Sequence, residues 1–158
     1  MKKKSFAILI LAATVAVAVM SFKVFLFFSQ KDNMSQAPLS YRTINVYIGQ
    51  KVVDTQIADT PAAQALGLGG RAGISANAAM LFVFSESERY GFWMKDMRFS
   101  IDMIWLDENK NVVFIKDNVS PATFPEVFMP NAPARYVLEV NAGFAKENGV
   151  KIGSKINF

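Results

Sequence analysis

The sequence predicts an α+β fold that is mostly β. It is a compact sheet or half-closed barrel of roughly six to eight strands with two short helices, preceded by one N-terminal transmembrane helix. Three observations carry this reading. Short segments alternate apolar and polar residues with the period of two that a pleated strand requires. Gly-, Pro- and Asn-containing punctuation separates them at short intervals. One long apolar run stands apart from the alternation, at the start of the chain.

That run extends from Phe6 to Phe28 behind "MKKKS", and Lys23 is its only charged residue. It is about long enough to cross a hydrocarbon layer of ~30 Å as a helix. Basic residues on its N-terminal side predict a cytoplasmic tip over residues 1–5, an anchor over 6–28 and an exported remainder. The alternative is signal cleavage, which would leave a secreted or periplasmic protein. "AVA" at 16–18 fits a cleavage site, but "VMSFKVFLFF" would be a sticky new terminus. Residues 29–40, "SQKDNMSQAPLS", are polar and aperiodic and read as a flexible tether. An exported, monomeric globular domain follows over 41–158.

Within the domain the elements come in order. "YRTINVYI" sets Ile44, Val46 and Ile48 on one face, and "GQ" turns the chain into "KVVDTQIA". "DTPAAQALG" is a helix with Thr60 as N-cap, Pro61 in the first position and Gly67 at the end. "AMLFVF" reads as a strand buried on both faces, and charged "SESER" separates it from "YGFWMK". "SIDMIWLD", the turn "ENKN" and "VVFIKDNV" form a hairpin. "SPATFPEVFMPNAP" holds too much proline for a central strand. "ARYVLEV" alternates again, "NAGFAKENGV" is a helix capped by Asn141 and closed by Gly149, and "KIGSKINF" is the last strand.

Composition excludes several chemistries. The formal charge of +4 comes from 17 basic and 13 acidic residues; Lys2, Lys3, Lys4 and Lys23 account for four of the basic ones, leaving 13 against 13. No basic stripe of a nucleic-acid reader is present. With no histidine and no cysteine, imidazole triads, thiolate nucleophiles, His- or Cys-bound zinc and disulfides are unavailable. "DENKN" lacks the acidic density of a calcium loop and reads as a turn. Neither a metal site nor a cofactor is predicted.

The stretches "GLGGR", "AMLFVF", "FWMKDM", "SIDMIWLD", "ARYVLEVNAG" and "NGVKIGSKI" resemble, in order, the motifs of the domain of unknown function 192 family. The resemblance covers roughly residues 45 to 157. It implies a small, predominantly β domain, often behind a signal or anchor segment, and no established function. Gly69, Ala79 and Ser100 depart from the family's usual methionine, glycine and proline. The pairs Trp93 with Lys95 and Arg135 with Glu139 match its pattern.

Alternation then selects candidate site residues. Read as strands, "FWMK" separates Phe92 and Met94 from Trp93 and Lys95. "SIDMIWLD" separates Ile101, Met103 and Trp105 from Asp102, Ile104 and Leu106, and "ARYVLEV" opposes Tyr136, Leu138 and Val140 to Arg135, Val137 and Glu139. Mixed faces of this kind predict either a partly buried ion-pair network or a ligand site. In the second reading Trp93 is a flat platform, and Arg71, Lys95, Asp102, Arg135 and Glu139 converge on a glycan-like or small anionic ligand. The function expected is a non-catalytic binding module for a polar envelope ligand or a partner protein. The alternative is a carboxylate-dependent hydrolase, such as a glycosidase using Asp102 and Glu139 as its acid and base.

Overall fold

The computed structural model describes residues 40–158. The segment 6–28 expected to be an anchor and nearly all of the expected tether 29–40 lie outside them. Among the described residues no helix is long and apolar enough to cross a membrane.

Seven strands form one curled sheet: β1 (Thr43–Ile48), β2 (Lys51–Ala58), β3 (Ala78–Glu88), β4 (Ile101–Leu106), β5 (Val112–Val119), β6 (Ala134–Asn141) and β7 (Ile156–Asn157), in the order β5-β4-β6-β3-β2-β1-β7. Neighbours are antiparallel except β2 and β3, which run parallel. A parallel pair needs a crossover. Helix α1 (Pro61–Leu66) lies in it, with the Thr60 hydroxyl accepting from the Ala63 N–H as predicted. The two ends of the sheet approach each other, since Val112 N donates to Ser154 O and Ile156 N to Lys110 O. The result is a half-barrel.

Both faces of the sheet are covered. The inner face gathers Val46, Val53, Leu81, Ile104, Leu106, Leu138 and Ile156, with Phe144 and Ala145 of helix α2 (Phe144–Glu147) packed on them. The outer face gathers Met80, Phe82, Met103, Trp105 and Val137 under the loops that carry Leu68, Met94 and Phe128. β4 is buried at all six positions, and Met103 and Trp105 are inaccessible, as their alternation predicts. The Trp105 indole N–H donates to Tyr90 O at 2.9 Å, so the ring is buried with its one donor satisfied.

Four local expectations are corrected. β3 does not stop before the charged segment but continues to Glu88 across an irregular register, because backbone pairing of Glu88 with Ala134 needs no apolar side chain. "YGFWMK" is not a strand: only Phe92 pairs, with Phe128, and the rest is loop. Its alternation survives nonetheless, with Met94 buried and Trp93 and Lys95 exposed. Asn141 does not cap α2. It belongs to β6, and Gly143, at φ +87°, turns the chain into a helix only four residues long. The last strand is two residues, Ile156–Asn157, because Gly153 (φ +86°) still turns the chain just before it.

Candidate functional site

A cleft of about 220 Å³ opens on the outer face between the end of α1 and the loop 90–97. That volume admits one ring-sized group, below the ~300–1,000 Å³ of sites for larger ligands. Phe82, Phe84, Tyr90 and Phe92 form its walls, Trp93 and Lys95 its rim, and Glu139 its floor. The walls are built by aromatic packing. Phe84 and Tyr90 stack at 3.6 Å between centroids, and Phe92 meets Phe82 edge-on at 4.8 Å. The α1 side is held by Gln64, whose amide donates to Val83 O at 2.8 Å. Gly91 permits the close approach of the second loop. A Cβ there would lie 2.7 Å from Val127 Cγ1.

Glu139 sits on the central strand β6, in register with Met80 of β3 on one side and Met103 of β4 on the other. Both methionines are fully buried, and Glu139 is itself 5% exposed. Its Oε2 has no hydrogen-bond partner. Burial pushes the carboxyl up to about 8, opposed by the charge of Arg71. A carboxyl in this setting is protonated at neutral pH and offers an O–H donor and a carbonyl acceptor to whatever enters the cleft.

The six candidate residues do not all converge. Trp93, Lys95 and Glu139 line one cleft. The Trp93 ring lies 6.0 Å from Lys95 Nζ and 5.8 Å from the Phe124 ring. Arg71 does not line the cleft; its guanidinium lies 5.3 Å from the centre of the Tyr41 ring, and its charge acts on Glu139 without pairing with it. Arg135 lies toward Tyr90, whose hydroxyl is raised by burial and by Glu88 and Glu86 and lowered by Arg135. Its Nε is buried without a partner.

Asp102 is the clear departure. Its register partner is Val140, while Glu139 pairs with Met103. Directly paired residues share a face and successive ones alternate, so the two carboxyls point to opposite sides of the sheet. Asp102 is fully buried on the inner side. Its Oδ1 accepts from the N–H of Asn118 at 2.7 Å and of Gly143 at 3.0 Å, and its Oδ2 from the N–H of Ala145 at 2.9 Å. It caps α2 from another strand, which explains how that helix starts without a side-chain cap of its own. The ion-pair network is also absent. Among the described residues the one ion pair is the exposed Arg42–Asp59, at 3.3 Å.

Periodicity placed Phe92 on the face of Met94 but missed its part in the cleft wall, and it missed Gln64 and Tyr90 altogether. Tyr90 lies in a loop ahead of the alternating segment, and Gln64 follows from the helix only once its packing against β3 is known.

Comparison with known proteins places this geometry. The profile of the family described as DUF192, "Uncharacterized ACR", matches residues 44–158. Among solved structures, a Sinorhizobium meliloti protein described as a candidate transcription regulator superposes with a TM-score of 0.72 at 26% identity, covering 77% of this chain and 97% of that one. A protein of unknown function from Novosphingobium aromaticivorans gives 0.71 at 28% identity, covering 77% of this chain and 90% of its own. No curated protein matches.

Proposed function

Because the chain belongs to the DUF192 family, whose function is unassigned, we propose a role from the site itself: a non-catalytic binding module for a small polar envelope ligand, glycan-like in presenting a ring and hydroxyl groups. One observation carries the reading. Glu139 is a buried carboxyl with an unpartnered oxygen at the floor of an aromatic cleft. An unsatisfied buried polar atom costs stability, so its retention is better explained by a ligand than by folding. A sugar ring stacks on an exposed indole such as Trp93, while its hydroxyls meet Glu139 and Lys95.

The hydrolase alternative is weaker, because Asp102 is turned away and spent on backbone donors. A nucleic-acid role, which the description of the Sinorhizobium protein brings to mind, lacks a basic stripe here. In this proposal residues 6–28 hold the domain at the outer side of the membrane, supported by the placement of the lysines.

Calorimetric titration of the full chain in nanodiscs with neutral and amino-sugar oligosaccharides tests the site. Saturable binding that weakens at least roughly tenfold in Trp93→Ala and Glu139→Ala is the expected result, in line with a lost central contact. No saturable binding by a folded protein would overturn it.

A further inference from the structure

The rim of the cleft carries more apolar surface than a one-ring ligand would cover. Leu66, Trp93, Phe124, Val127 and Met129 are each about half exposed, from 45% for Phe124 to 51% for Val127. They form one patch. Leu66 and Trp93 flank the same cleft, Trp93 touches Phe124, and the Phe92–Phe128 bridge brings Val127 and Met129 against Gly91. Single exposed apolar residues need no explanation, but a clustered patch marks a contact surface. A tryptophan and a phenylalanine at its edge, with a lysine alongside, match the chemistry of a bilayer interface, where amphipathic rings and snorkelling lysines settle at headgroup depth.

Two further observations choose the bilayer over other occupants. The chain enters the domain on this side of the sheet: Tyr41 packs against the outer cluster, beneath the Arg71 guanidinium. Twelve residues, 29–40, separate it from the apolar run Phe6–Phe28. Twelve residues span at most roughly 40 Å, whatever their conformation. A surface held that near a membrane meets it at an effective concentration on the order of millimolar, so a weak patch suffices.

We propose that the rim formed by Leu66, Trp93, Phe124, Val127 and Met129 docks on the outer surface of the lipid bilayer that holds the anchor, with the cleft opening at headgroup level. The inference rests on the anchoring role of residues 6–28 and is independent of which ligand the cleft takes.

The chain holds two tryptophans, and Trp105 is inaccessible while Trp93 is 49% exposed, so the second reports the contact. The full chain is reconstituted in vesicles of phosphatidylethanolamine and phosphatidylglycerol containing brominated acyl chains. The emission lost in Trp93→Phe identifies the Trp93 component. Docking quenches roughly half or more of that component, as expected of a ring at the interface. The triple variant F124S/V127S/M129S restores it while circular dichroism stays unchanged. If the triple variant unfolds, Leu66→Ser with Phe124→Ser serves instead. An unquenched Trp93 in a reconstituted, folded chain overturns the proposal. So does a Trp93 blue shift that depends on protein concentration in detergent without lipid, which would make a second copy the occupant. Loss of sugar binding leaves this outcome untouched.

Discussion

A glutamate between two methionines is the most consequential single residue of this protein. The carboxyl of Glu139 has its usual value of 4.5 when the chain is unfolded and about 8 when folded. Between those values the folded state binds the extra proton, so stability falls as pH rises through that window, by about 1.4 kcal/mol per unit where one proton separates the states. From pH 5 to pH 7 the loss expected is roughly 3 kcal/mol, and Glu139→Gln should remove most of this slope and be the more stable protein at pH 8. Urea titrations of both proteins at pH 5, 7 and 8.5 measure it; a wild-type stability that is flat across the window would contradict the assignment. Asp102 behaves oppositely. Asp102→Ala strands the N–H groups of Asn118, Gly143 and Ala145 and should cost on the order of 3–5 kcal/mol. Arg135→Ala, which breaks no ion pair, should cost under ~1 kcal/mol. Denaturation midpoints of the two variants should separate cleanly. Both carboxylates were legible as chemistry-bearing residues, and so was the alternation within each strand. What single strands cannot express is the register between them. One position of offset between β4 and β6 decides whether Asp102 meets Glu139 or faces away from it.

At the scale of elements, β1, β2, β4, β5 and β6 were legible almost residue for residue, because successive side chains alternate between one apolar layer and either solvent or, in β4, the second layer. The helix signals at Thr60 and Pro61 were equally local and therefore readable. The loop 89–100 was not, since its conformation is set by what it lies against. Its partner is the proline-rich loop 120–133, and the contact between them runs through Gly91. Gly91→Ala should force the two loops apart and cost on the order of 1–3 kcal/mol, as overpacking does. Nuclear magnetic resonance shifts should confine the change to residues around 90–97 and 124–130. Disturbance spreading into β4 would show that the loops are not separable from the sheet.

At the scale of the whole molecule, the described domain is held together by two apolar layers, one on either side of a single sheet. Neither cysteine nor histidine contributes to it. Attachment to the membrane is the property to check here. Protease added outside spheroplasts should degrade the domain, and the membrane fraction should retain it before digestion. Recovery of a soluble chain lacking its first ~20–30 residues would instead indicate cleavage of the kind that signal segments undergo.

The half-barrel also dictates an order of events. β1 is paired by β7, joining Ile48 to Ile156 more than a hundred residues along the chain, and the start of β5 is fastened to the same late segment. Such distant contacts repay their loop-closure entropy only when nearly everything else is in place, so acquisition of the native state belongs to the slow, millisecond-to-second class of β topologies. A nascent chain lacking its final segment has an open sheet edge and an unclosed inner layer. Its sheet closes only once that last segment has been made and has found β1 and the start of β5.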